Sequence, residues 1–152
     1  MRCLIWRACK MRSDYLNENS NAAGGFKKKV GYLVSAVTLT NEDSGKVYAC
    51  DSAGGAYAIT LPTSLEDGVH YKFVVWEKTP TADITIAAGS AIISGVNKDA
   101  GGDAANSTAG TEVSNVILDT TAQRGDWVNF LAVNGQWVIE AFSSINNGIQ
   151  TS

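Results

Sequence analysis

The chain has 152 residues, 45% of them hydrophobic and 18% charged, which suits one folded domain with its own core and is short for two. No apolar run approaches the roughly 20 residues that a membrane-spanning helix needs. In "MRCLIWRACKMR" the apolar centre is only Leu4, Ile5 and Trp6, so neither an anchor nor export through a signal peptide is expected.

The net charge of -3 conceals a division. Residues 1 to 30 hold seven basic side chains against Asp14 and Glu18, whereas the remainder holds five basic against thirteen acidic ones. This is the pattern of a basic arm joined to an acidic body. On a helical wheel Arg2, Arg7, Lys10 and Arg12 scatter around the axis, which disfavours a membrane-surface helix. The polar, small "SDYLNENSNAAGG" that follows reads as a connector. Residues 1–29 are therefore taken as arm and linker, and 30–152 as a β-domain.

From Val30 onward the apolar period becomes two. The runs are "VGYLVSAVTLT", "KVYACD", "AYAITL", "VHYKFVVW", "DITIA", "AIIS", "SNVILD", "WVNFLAV" and "QWVIEAF". They are rich in Val, Ile, Thr and aromatics and are bounded by Gly, Asp, Asn and Ser. About nine short strands without intervening helices imply an all-β antiparallel sandwich or barrel. In "VHYKFVVW", Val69, Tyr71, Phe73 and Val75 share the inward face. The small-residue stretch 97–112 reads as a long surface loop.

Candidate chemistry is sparse. Cys3, Cys9 and Cys50 are an odd number of cysteines beside a single histidine, His70, so neither a disulfide framework nor a zinc site is expected. Cys50 reads as a buried thiol and His70 as a hydrogen-bonded surface side chain. No nucleophile elbow, phosphate-cradling loop or helical metal motif is present. Asp99, Asp103 and Asn106 depart from calcium-loop spacing. The chain is expected not to be an enzyme and to use no cofactor; a glycosidase working through two loop carboxylates is the enzymatic alternative.

The hairpin "RGDWVNFLAVNGQWVIEAF" poses the main question. A two-residue turn at Asn134-Gly135 places Ala132 opposite Trp137, Phe130 opposite Ile139 and Val128 opposite Ala141 on a core face. The other face carries Trp127, Leu131, Val138 and Phe142, whose exposure would forgo about 1.5 to 3 kcal/mol each. Either a second sheet of the same domain covers them or another subunit does.

"DSGKVY", "ITLP" before a glycine-containing turn, the aromatic strand "YKFVVW", and the arms "GDWV" and "NGQWV" resemble small β-domains of tailed bacteriophages, found in capsid decoration (cement) proteins and at the ends of tail fibres. The resemblance covers about residues 35 to 145. It implies a structural virion protein, often trimeric, made in the host cytoplasm and seated on the outside of an icosahedral capsid, where it stabilises the shell by bridging major capsid protein subunits.

Within that expectation Arg2, Arg7, Lys10, Arg12, Lys27, Lys28 and Lys29 are the arm's capsid contacts, and Trp127, Leu131, Val138 and Phe142 the subunit interface. The lysine triplet could also grip phosphates, but stacking platforms beside it are few and the acidic body repels a duplex. An acidic protein surface is the expected partner, with neither nucleic acid nor membrane involved. The alternative function is a receptor- or glycan-binding fibre module that uses the long loop and Trp76.

Overall fold

The computed structural model describes residues 28–89, 91–100 and 112–152. Eleven strands build it: β1 (Val30–Leu33), β2 (Val37–Thr38), β3 (Val47–Cys50), β4 (Tyr57–Thr60), β5 (His70–Val75), β6 (Ile84–Ala87), β7 (Ile93–Asp99), β8 (Asn115–Leu118), β9 (Trp127–Val133), β10 (Gln136–Ser143) and β11 (Ile149–Thr151). They form a β-sandwich of two sheets, with orders β1-β3-β5-β9-β10-β7 and β11-β8-β6-β4-β2. Among the described residues there is no α-helix, only one 3₁₀ turn at Asn41–Asp43.

The sandwich follows from the alternation of inward and outward side chains, but its sheets are mixed, where the sequence suggested antiparallel pairing. Strands β1, β3 and β5 pair in parallel, as do β2, β4 and β6. Strand β7 also runs parallel to β10. The cause is connectivity: consecutive strands from β1 to β9 lie in opposite sheets. A strand in one sheet thus serves as the crossover for a parallel pair in the other, so no long connection is needed.

The count exceeds nine for two local reasons. "VGYLVSAVTLT" bends at Val34 and Ser35 and changes sheets, which splits it into β1 and β2. β11 is three residues long, too short to carry a period, and follows a turn in which Asn147 has φ 62°. The stretch read as a loop from position 97 begins as strand, since β7 runs to Asp99. Asn97 there is buried, and its amide donates to the Ile149 carbonyl at 2.6 Å, tying one sheet to the other. Residues 101–111, with Asp103 and Asn106, lie outside the described residues, as does the Asp99 side chain.

The core is divided by size. The five-stranded sheet contributes aliphatics, among them Ile59, Ile86, Val116, Leu118 and Ile149. The six-stranded sheet contributes a chain of rings: Tyr48 stacks on Phe73 at 5.5 Å, Phe73 meets Phe130 edge-on at 5.7 Å, and Phe130 meets Trp137 edge-on at 5.9 Å. Each such contact contributes about 0.5–1.5 kcal/mol beyond burial itself. Val69, Tyr71, Phe73 and Val75 all point inward, as their alternation requires.

Candidate functional site: the outer face of the six-stranded sheet

The hairpin closes in the register that the turn dictates. Asn134 and Gly135 adopt φ 50° and 75°, and Ala132 pairs with Trp137, Phe130 with Ile139 and Val128 with Ala141. All six are buried, facing the second sheet. That sheet therefore covers the face led by Trp137 and leaves the opposite face open.

On the open face Leu131, Val138 and Phe142 are 42%, 41% and 40% exposed, and Val133 is 45% exposed. Trp127 is half-buried because the Lys72 ammonium lies over its ring, 4.3 Å from the centroid. This cation–π contact shelters the indole while keeping the lysine head in water. The structure thus brings together all four residues named from the hairpin; among the described residues Leu131, Val138 and Phe142 are left exposed and Trp127 is sheltered in part by Lys72.

The neighbouring strands extend the face in register. Val74, Trp127 and Phe142 form one row, Lys72, Asn129 and Glu140 the next, and His70, Leu131 and Val138 the third. Beyond β10, β7 adds Val96, 37% exposed. At the far edge β1 adds Val30 and Tyr32, both exposed. Sequence reasoning missed Val96 because the apolar run "AIIS" ends at Ser94 before Gly95, and parallel pairing with β10 leaves no local signal. The outer face of the other sheet is different in kind, with rows such as Thr38, Thr60, Ala87 and Asn115, small and mostly polar.

Basic groups gather on one side of this face. A shallow concavity of about 290 Å³ is lined by Lys28, Lys46, His70 and Lys72 together with parts of β9. Lys46 is bonded to Asp43, and that lysine hydrogen bond, helped by the Thr40 backbone N–H, holds the Asp43 carboxyl below the usual carboxylate range. His70 is exposed, with its ring Nδ1 3.0 Å from the Gly68 carbonyl oxygen. Lys28 and Lys29 are exposed beside β1. The remaining arm residues Arg2, Arg7, Lys10, Arg12 and Lys27 lie outside the described residues.

Elsewhere, Trp76 is 47% exposed, with Tyr32 edge-on at 6.3 Å and the Arg124 guanidinium 5.1 Å from its ring centre. Arg124 Nε also donates to the Trp76 carbonyl at 2.6 Å. Cys50 is buried as expected, and burial pushes its thiol up to about 12. Among the described residues no group of three or more His, Cys, Asp or Glu side chains is placed to hold a metal ion.

The corner that presents the hairpin is fixed by Asp126, which is 2% exposed. Its carboxylate accepts from the Gln123 N–H and the Ser144 N–H, each at 2.9 Å, and lies 3.2 Å from the Ser143 hydroxyl, whose single proton is shared with the Ile145 carbonyl at 2.8 Å. It thereby ties the entry of β9 to the exit of β10, next to the Trp127–Phe142 pair. No family model and no curated protein matches this chain.

Proposed function

We propose that the protein is a structural virion component, a cement protein that self-associates and bridges subunits on the outside of a phage capsid. The observation that carries this reading is the contrast between its two outer surfaces. One sheet ends in mostly small or polar side chains, with Ile117 half-buried among them, whereas the other exposes Leu131, Val133, Val138 and Phe142. Exposed apolar rows on both sides of one polar row, gathered on a single sheet face, are the kind of surface that marks an interface. Lys28 and Lys29 lie exposed beside the edge strand β1, at the rim of this face.

Binding that exists only in the assembled shell raises the shell's resistance to heat and internal pressure by mass action. The test is co-sedimentation of the purified chain with shells that lack it, followed by thermal release of the genome. Saturable binding with a higher release temperature supports the reading. Absence of binding at low salt refutes it. Deleting residues 1–25 is expected to weaken binding and flatten its salt dependence.

A glycan-binding fibre module is the second reading, favoured by the exposed pair Trp76 and Tyr32. Arg124 already occupies one side of the Trp76 ring, which leaves less of it free for sugar stacking. Saturable binding on a glycan array, abolished by Trp76→Ala, would favour this reading over the first.

A further inference from the structure

We infer that the outer face of the six-stranded sheet pairs with the same face of a second copy of this chain about a two-fold axis that runs along β9. The inference rests on the subunit-contact part of the reading above and is independent of what the assembled protein binds.

The argument starts from where the charges sit. In the middle row of the face, Lys72 on β5 and Glu140 on β10 flank Asn129 on β9. Each is one strand away, about 4.8 Å on either side. Glu140 is exposed and has no ion-pair partner among the described residues. Two sheets laid face to face and related by an axis along β9 exchange left for right. Lys72 of each copy then lies against Glu140 of the other, giving two equivalent ion pairs, while Asn129 meets its own counterpart on the axis.

The rows above and below obey the same operation. Trp127 and Leu131 lie on β9, so each faces its own copy, one on either side of the polar middle row. The concavity that holds Lys28, His70 and Lys72 lies on the β5 side, where Glu140 of the second copy arrives. Aligned sheets cross at about 30°, and this keeps registration near the axis, where these residues are. A face on which positive and negative groups are equidistant from one central strand complements itself under a two-fold operation. A ring of three joins two different patches and places no such demand on a single face.

Five of the six strands overlap under this operation, since β1 lies three strands from β9 and only β10 and β7 lie beyond it. At about 4.8 Å per strand and about six residues at 3.3 Å they give a planar footprint of roughly 480 Å². Side-chain relief brings this toward the about 600 Å² per partner at which specific interfaces begin.

The test is the solution mass of the full chain by sedimentation velocity at several concentrations, for the wild type, Lys72→Glu, Glu140→Lys and the double exchange. The inference expects twice the chain mass for the wild type. Each single change is expected to weaken association at least about tenfold, because both pairs become like-charged, and the double exchange to restore it to within about threefold. Far-UV circular dichroism confirms that each variant is folded, and Leu131→Glu, which sets two carboxylates together on the axis, is expected to give a folded monomer.

A trimeric mass, or single changes without effect, would overturn the two-fold pairing while leaving the face as an interface. A wild-type monomer at about 100 μM would overturn the subunit contact as well. Shell co-sedimentation stays separate: a dimer that ignores shells removes the capsid reading and leaves the pairing standing.

Discussion

Replacing Asp126 by alanine probes the hinge on which the exposed face depends. The carboxylate is buried and holds two backbone N–H groups at 2.9 Å, with a share of the Ser143 hydroxyl, which also reaches the Ile145 carbonyl. A hydrogen bond to a charged group contributes about 1.5–3 kcal/mol, and three sharing one acceptor are not additive, so the loss should be about 3 kcal/mol. Against a total of about 5–15 kcal/mol this is a large fraction. At an m-value of about 1.5–2 kcal/mol/M, the urea midpoint should fall by roughly 1.5–2 M with little change in slope. Asparagine keeps one acceptor and turns an amide N–H₂ toward the other donors, so Asp126→Asn should lie between alanine and wild type. Tryptophan fluorescence during urea unfolding measures the series. Ser143→Ala, alone and combined with Asp126→Ala, closes a double-mutant cycle whose coupling should be positive. If Asp126→Ala shifts stability by less than about 1 kcal/mol, the corner is held by something else and the reasoning fails.

Other outcomes follow from the same geometry. Gly95→Ala should cost more than about 2 kcal/mol, because its φ is +149° and a Cβ there would strike the Ile139 backbone; a thermal melt checks this. Phe130→Ala on the core face should cost about 3–5 kcal/mol, whereas Phe142→Ala on the open face should cost under about 1 kcal/mol in chains diluted to monomers. Equal costs would contradict the assignment of the two faces. The Cys50 thiol, raised to about 12 by burial, should resist a thiol reagent at pH 8 until denaturant is added, as read by mass mapping. Burial also raises the Tyr57 and Tyr71 hydroxyls. In the open chain these groups ionise near about pH 8.5 for the thiol and about 10 for the phenols. The folded state then binds more protons than the unfolded one, so stability should hold below about pH 8.5 and fall as pH rises through these values, which urea midpoints from pH 8 to 11 would register.

The hairpin was legible because its information is local. Asn134-Gly135 fixes the turn, the turn fixes the register, and period two then sorts Trp137 from Val138. Inward faces of single strands were legible for the same reason, as with Tyr71 and Phe73. Pairing direction was not, because alternation states which way a side chain points and nothing about which strand lies beside it. Whether Lys46 sits next to Lys72, or Val96 next to Glu140, depends on connections that cross between sheets. The face was thus readable at its centre, from Trp127 to Phe142, and unreadable at its margins. The charge layout of Lys72 and Glu140 about Asn129 required the β5–β9 register, which no local motif encodes.

The order in which strands alternate between the two sheets has a mechanical consequence. Counting along the chain, the backbone passes from one layer to the other nine times, and only β9 to β10 stays within a layer. The layers are therefore riveted by peptide bonds as well as held by apolar contact, and neither can slide or lift away without unravelling strands. Such a body assembles slowly, since nearly every neighbour in a sheet is distant in sequence and the ordering of long loops precedes the contacts that reward it.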